Sequence, residues 1–123
     1  MKTLILIMLL FPIFEPNVIE VYNDFKVIEA DITGYSEFDS CHYKNCIMAS
    51  GKRAYIGAIA CPRDIKLSTR VSIDGKVYIC EDRTSKVYNG RFDIFFGYGK
   101  ESFEDAKNFG IKTVQVLIYE EGL

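Results

Sequence analysis

The sequence predicts an all-β barrel with one short helix near the C-terminus. Three observations predict it. Apolar and β-branched residues recur in short runs, several of them alternating with polar residues as a half-buried strand requires. Turn signals of the Asp-Gly and Asn-Gly type, Asp74-Gly75 and Asn89-Gly90, separate some of those runs, because these residues tolerate the backbone angles of tight turns. A single stretch, residues 101–109, carries helical spacing. Six or seven short strands joined by such turns close most readily into a barrel.

Size and composition fit one domain with a modest core. The chain has 123 residues, 49% of them hydrophobic and 14% aromatic, with no Trp. Its net charge is −2 and it carries no basic run, which argues against a nucleic-acid partner. No internal repeat or low-complexity segment is present.

Residues 1–14 (MKTLILIMLLFPIF) place one Lys before an apolar run, the pattern of an export signal or short uncleaved anchor; the alternative is an apolar N-terminal segment that packs on the domain. The run is shorter than the roughly 20 residues of a full membrane span. Any membrane association is expected through residues 2–14 alone, with residues 15–17 as a linker and residues 18–123 as the domain. The product is then secreted or associated with the cell envelope, and a monomer is expected.

Residues 18–32 alternate roughly as a strand, with Asn23-Asp24 as a candidate turn. Residues 36–50 form a long polar loop containing Cys41 and Cys46; such loops are usually functional or disordered. Residues 56–60 (IGAIA) read as a short buried strand. Val71 and Ile73 alternate and lead through Asp74-Gly75 into residues 76–80 (KVYIC), a hairpin. Residues 92–96 (FDIFF) make the next strand, and residues 97–99 break it. In residues 101–109, Phe103, Ala106 and Phe109 share a face, Ser102 is the expected N-cap and Gly110 the stop. Residues 113–119 (TVQVLIY) alternate as the last strand.

The chemistry concentrates in residues 81–96, EDRTSKVYNGRFDIFF. Asp82 stands where the strand of residues 76–80 is expected to end. Asp93 lies inside the next strand, between Phe92 and Ile94. An acid there either faces solvent or is partly buried beside aromatic rings; burial would raise its pKa and suit it to proton donation. The ordinary alternative is a solubilising or turn-capping carboxylate. Thr33 and Tyr35, at a strand end, can hydrogen-bond a sugar, and Tyr35 can also stack on one; the alternative is a plain half-buried strand surface.

Four cysteines, Cys41, Cys46, Cys61 and Cys80, permit two disulfides in three connectivities. Free thiols are the favoured expectation, since Cys61 and Cys80 lie in or beside apolar strands. One Cys-x4-Cys and one His give a weak metal signal, and no metal is expected.

The same segments resemble a known family. Glu81-Asp82, a polar loop and Gly90-Arg91-Phe92-Asp93 are similar to the motif of the three-aspartate domain, E-D-T-G-G-x-x-x-G-x-x-[FI]-D, found in lytic transglycosylases, muralytic proteins and phage relatives. Thr33-Gly34-Tyr35, Ala49-Ser50-Gly51, Ile65 to Thr69, Glu104-Asp105-Ala106, Phe109-Gly110 and Thr113 to Val116 resemble its other segments. The likeness runs from about Glu29 to Leu117. Two departures stand out: Arg83-Thr84-Ser85 replaces Thr-Gly-Gly, and Cys61 stands before Pro62 where the first of the three acids is usual.

The resemblance implies a six-stranded double-psi β-barrel whose groove cleaves the β-1,4 bond between N-acetylmuramic acid and N-acetylglucosamine in peptidoglycan. It implies Asp93 as acid and base, with Asp82 beside it. Thr33, Tyr35, Ser50, Lys86 and Arg91 are candidates for holding the glycan strand. No cofactor is implied. The alternative is a barrel that binds glycan without cleaving it, or a structural module of an envelope or phage particle.

Overall fold

The structure is a computed structural model and describes residues 25–41 and 45–120. Six strands close into a barrel: β1 (Phe25–Tyr35), β2 (Ala58–Cys61), β3 (Arg70–Ile73), β4 (Lys76–Arg83), β5 (Phe92–Phe95) and β6 (Lys112–Tyr119). Helix α1 (Gly99–Phe109) lies between β5 and β6. The all-β class, the closed six-stranded barrel and the C-terminal helix agree with the sequence. The export or anchor segment, the linker and the Asn23-Asp24 turn lie outside the described residues.

Around the barrel the order is β1-β5-β2-β4-β3-β6. The pairs β1·β5 and β2·β4 are parallel, and the other four are antiparallel. Exchanging β1 with β4, β2 with β5 and β3 with β6 maps this set of pairs onto itself, sense included. The chain therefore has two interleaved three-strand halves, as a double-psi topology requires. Its middle is the β2·β5 pair.

The sequence of β2 explains why it sits there. All of Ala58, Ile59, Ala60 and Cys61 are buried. A continuous apolar run suits a strand covered on both faces. Ile59 and Cys61 point into the barrel, where they join Ile32, Val71, Phe92 and Val116. Ala58 and Ala60 point outward and pack with Tyr35, Cys46, Met48, Ala54 and Phe95. The segment between β1 and β2 folds over this outer face, so the long loop has a core of its own. Fully burying a Phe or Ile side chain is worth about 1.5–3 kcal/mol, and Phe92, Ile32 and Ile59 are wholly enclosed.

All four cysteines are paired, as Cys41–Cys46 and Cys61–Cys80. This corrects the expectation of free thiols. Cys61 and Cys80 are indeed buried and apolar in setting, but β2 and β4 are neighbours, and the register brings the two sulfurs together inside the barrel. That proximity is tertiary and leaves no mark in local sequence.

Other boundaries shift. β4 runs on to Arg83, so Glu81 and Asp82 are strand residues rather than the start of a loop. Asp82 and Arg83 pair with Ala60 and Cys61 of β2 and extend the ladder beyond Cys80, with Glu81 bulged between them. β2 begins at Ala58, because Gly57 sits at φ 111° in a turn. The Asp74-Gly75 hairpin forms as expected, with φ of 51° and 81°. At Asn89-Gly90 only Gly90 is left-handed; Asn89 has φ −59° and ψ 136°, and Arg91 N donates to Tyr88 O at 3.0 Å. These are the angles of a type II turn. The helix starts before Ser102, with Tyr98 at the N-cap position and no side-chain cap. Ser102 instead packs against Gly97, where a Cβ would lie 2.6 Å from its Oγ. The predicted face holds: Ala106 is buried, Phe103 meets Phe38 and Phe109 meets Phe96.

Candidate functional site

One row of residues crosses four strands. Thr33 on β1 pairs with Asp93 on β5, Asp93 pairs with Ala60 on β2, and Ala60 pairs with Asp82 on β4. The two acids are thus separated by a single small residue. Two strand spacings put their Cα atoms roughly 10 Å apart. The register that joins Ala60 to Asp82 depends on an irregularity between Ile59 and Ala60. The extra residue is Glu81; in an unbroken ladder Glu81, and not Asp82, would stand opposite Ala60.

The row floors an open cleft of about 560 Å³ on the outer face of the barrel. Its lining includes Thr33, Gly34, Tyr35, Ala60, Asp82 and Asp93. Asp39, Cys41 and Ile47 supply one wall, from the loop after β1. Arg83, Thr84, Ser85, Tyr88 and Arg91 supply the other, from the connection between β4 and β5.

Asp93 is partly buried, the second of the two settings its sequence allows. The Thr33 hydroxyl donates to its Oδ1 at 2.9 Å. Burial pushes its carboxyl from the ordinary 3.8 up to about 6; the Thr33 bond opposes this, the Asp39 charge adds to it, Arg91 opposes it and Asp82 adds to it. Desolvation outweighs the donors, so Asp93 exchanges its proton near neutrality.

Asp82 is held differently. Its Oδ1 accepts the backbone N–H groups of Ala49 at 3.0 Å and Arg83 at 2.9 Å. The Ala49-Ser50-Gly51 segment is in turn fixed by Ser50 N donating to Glu81 O at 2.9 Å. Glu81, next in sequence, points the other way and is buried. The Tyr55 hydroxyl donates to it, and the Lys52 ammonium reaches it at 3.4 Å. Burial works against its ionisation, but the bonds from Tyr55 and Ser50 and the charge of Lys52 outweigh it and hold its pKa below the ordinary 4.5.

Two hydroxyls in the cleft lack partners. Tyr35 Oη and Thr84 Oγ1 are buried and have no hydrogen-bond partner among the described residues. The Tyr35 ring packs on Phe95, with centroids 5.3 Å apart. Its face is therefore covered, and what it offers the cleft is its hydroxyl. Burial drives the Tyr35 pKa far upward, and the Asp82 and Asp93 charges add to this, as does the nearness of the hydroxyl to Asp82, which falls short of a well-formed hydrogen bond; the hydroxyl keeps its proton.

The structure thus brings Thr33, Tyr35, Asp82, Arg91 and Asp93 together at one cleft. It does not bring Ser50 or Lys86 there. Ser50 braces the Asp82 loop from behind, and Lys86 is exposed on a short 3₁₀ turn, Lys86–Tyr88. Arg91 stacks on the exposed Tyr88 ring, 4.4 Å from its centroid. Tyr88, Thr84, Ser85 and Asp39 line the cleft without having been singled out in the sequence. Thr84, which follows directly on the end of β4 at Arg83, had no local signal. Asp39 had only its place two residues before a paired cysteine.

All four cysteine sulfurs are spent in disulfides, so the Cys-x4-Cys pair offers no thiolate to zinc. Cys61 in particular is turned into the barrel.

No family profile and no curated protein matches the chain. Among solved structures, an apo form of a single-residue variant of the Escherichia coli lytic transglycosylase MltA is similar, with a TM-score of 0.47 and 16% identity. The overlap covers 58% of this chain and 26% of that one, so this chain spans about a quarter of its neighbour's length.

Proposed function

We propose that the cleft cleaves the glycan strands of peptidoglycan as a lytic transglycosylase, with Asp93 as its acid and base. The observation that carries this reading is Asp93 itself: a half-buried carboxyl with a pKa near 6, set in the floor of an open cleft. The resemblance of Glu81-Asp82 and Gly90 to Asp93 to the three-aspartate motif supports it.

The reaction needs no second reactant. Protonated Asp93 gives its proton to the glycosidic oxygen as the bond to C1 of the muramic acid breaks. The N-acetylglucosamine leaves with a free hydroxyl. The Asp93 carboxylate then takes the proton of the muramic C6 hydroxyl, whose oxygen attacks C1 and closes a 1,6-anhydro ring. No water is consumed, and Asp93 ends protonated again. A group that must start as an acid works only while protonated, so kcat is expected to fall as pH rises through about 6.

Asp82 stabilises the positive charge that develops at C1. Thr33 orients Asp93, Arg91 and Tyr88 hold sugar substituents at the rim, and the Tyr35 and Thr84 hydroxyls are donors for the bound strand. Two disulfides and an apolar N-terminal stretch suit a protein working outside the reducing cytosol.

The test is incubation of the protein with purified sacculi and mass spectrometry of the soluble products. Muropeptides ending in 1,6-anhydromuramic acid are expected from the wild type and none from Asp93→Asn, whose circular dichroism should be unchanged. Products one water heavier would mean hydrolysis, with Asp82 as base; two acids astride Ala60 leave space for a water. A second reading, glycan binding without cleavage, is favoured by one observation: Cys61, at the place of the family's first acid, is locked in a disulfide. No products, with the protein pelleting on sacculi, would select it.

A further inference from the structure

The loop after β1 brings an acid that the sequence motif does not contain. Asp39 lies on a π-type turn, Glu37–Cys41, and lines the same cleft as Asp82 and Asp93. Its position is fixed from several sides. Ser36 N donates to its Oδ1 at 2.7 Å. Glu37 N donates to Gly97 O at 3.1 Å, and Gly99 N donates to Glu37 Oε1 at 3.1 Å. Phe38 meets Phe103 of α1 edge to face. The Cys41–Cys46 disulfide then ties the turn to Cys46, which is buried in the outer-face core. A short loop held at both ends and in the middle is an expensive way to carry a solubilising charge.

Asp39 faces a cleft built to receive something. The Tyr35 hydroxyl is on a side chain only 6% exposed, and it has no partner among the described residues; Thr84, also 6% exposed, repeats the pattern on the opposite wall. Leaving a buried hydroxyl unpaired is unfavourable, and a bound ligand with an acceptor would relieve it.

We propose that Asp39 is a third carboxylate of this cleft, a positioning residue that the disulfide-closed loop holds in the wall of the cleft whose floor carries Asp93 and that acts on the reaction through Asp93. The proposal rests on reading the cleft as the working site. The groups that face Asp93 are Thr33 and Tyr35 from β1, Asp82 from β4, Arg91 from the turn before β5, and Asp39. Among them Asp39 and Asp82 add negative charge, and Arg91 opposes them. Since a like charge nearby disfavours a second ionisation, Asp39 prolongs the acid form of Asp93 toward higher pH. It acts through Asp93 and needs no contact with the scissile bond. Asp39 is exposed, so its influence should also be screened by salt.

The test is a carboxyl NMR titration of Asp93 in the full chain. The wild-type midpoint is expected near 6 and should fall as ionic strength rises. Asp39→Asn, whose amide oxygen can still accept from Ser36 N, should move the midpoint toward the ordinary carboxylate range. Asp39→Glu should restore it. On peptidoglycan, the fall of kcat with pH should move in the same direction, with KM little changed. An unchanged Asp93 midpoint in a folded Asp39→Asn variant would overturn the proposal, as would a wild-type midpoint that ignores salt, a measurement that needs no variant. A wild type that cleaves nothing would sink the transglycosylase reading, while the carboxyl titration would still decide the role of Asp39.

Discussion

At the scale of single residues, Asp93 links the chemistry to stability. Its folded pKa of about 6 lies above the ordinary 3.8, so the folded state holds this proton more tightly than the unfolded chain. The stability it contributes is complete below about 3.8 and is lost as pH rises through about 6. Asp93→Asn cannot suffer that loss. Relative to wild type it should gain on the order of 1–3 kcal/mol between pH 4 and pH 8. Urea unfolding of both proteins at the two pH values checks this, and parallel curves would mean that Asp93 is not desolvated. Gly34 gives a second prediction. A Cβ there would lie 2.4 Å from Phe96 Cε1, and that ring is packed on Phe109. Gly34→Ala should therefore cost about 1–3 kcal/mol of overpacking in the same assay.

Elements explain what the sequence could and could not disclose. Alternation and turn chemistry made β3, the Asp74-Gly75 hairpin, β5, the helix and β6 legible, because those signals are local. The reach of β4 was not. Glu81, Asp82 and Arg83 are charged, and charge in a row reads as loop; here each has a separate tertiary partner. Glu81 turns to Tyr55 and Lys52, Asp82 accepts from Ala49, and the Arg83 guanidinium donates to the carbonyls of Pro62 and Ile65. The site was legible in part for the same reason. The motif pointed to Asp82 and Asp93, whereas Asp39 and Thr84 enter the cleft only through the folding of a loop and the extension of a strand. Glu81 should be the latch that holds the loop of residues 48–55 against β4. Glu81→Gln should cost about 1–3 kcal/mol and speed hydrogen exchange at the Ala49 and Ser50 amides, which the loop's closure protects. Unaltered exchange there would mean that the loop holds itself.

Across the whole molecule, stability depends on ladders between distant segments and on one covalent tie inside the barrel. Cys61–Cys80 spans 19 residues of sequence. Closing a loop of that size in the unfolded chain is worth about 3 kcal/mol. The double variant Cys61→Ser/Cys80→Ser should lose roughly that much in denaturant, with the cleft otherwise intact; wild type in reductant should lose more, because Cys41–Cys46 opens as well. A barrel with no open edge also gives no strand on which another chain can template.

The interleaving of β1–β3 with β4–β6 bears on how the protein meets a protease. The seam between the halves in sequence is the exposed Asp74-Gly75 turn, which carries no part of the cleft. A nick there would separate the chain into two fragments, yet Cys61 belongs to one and Cys80 to the other. Both acids of the row, Asp82 and Asp93, would come from the later piece, while Thr33 and Ala60, which orient and space them, come from the earlier. The cut molecule would remain a covalent heterodimer that neither loses its ladders nor divides its two cleft acids, and only the joint action of protease and reductant would take it apart.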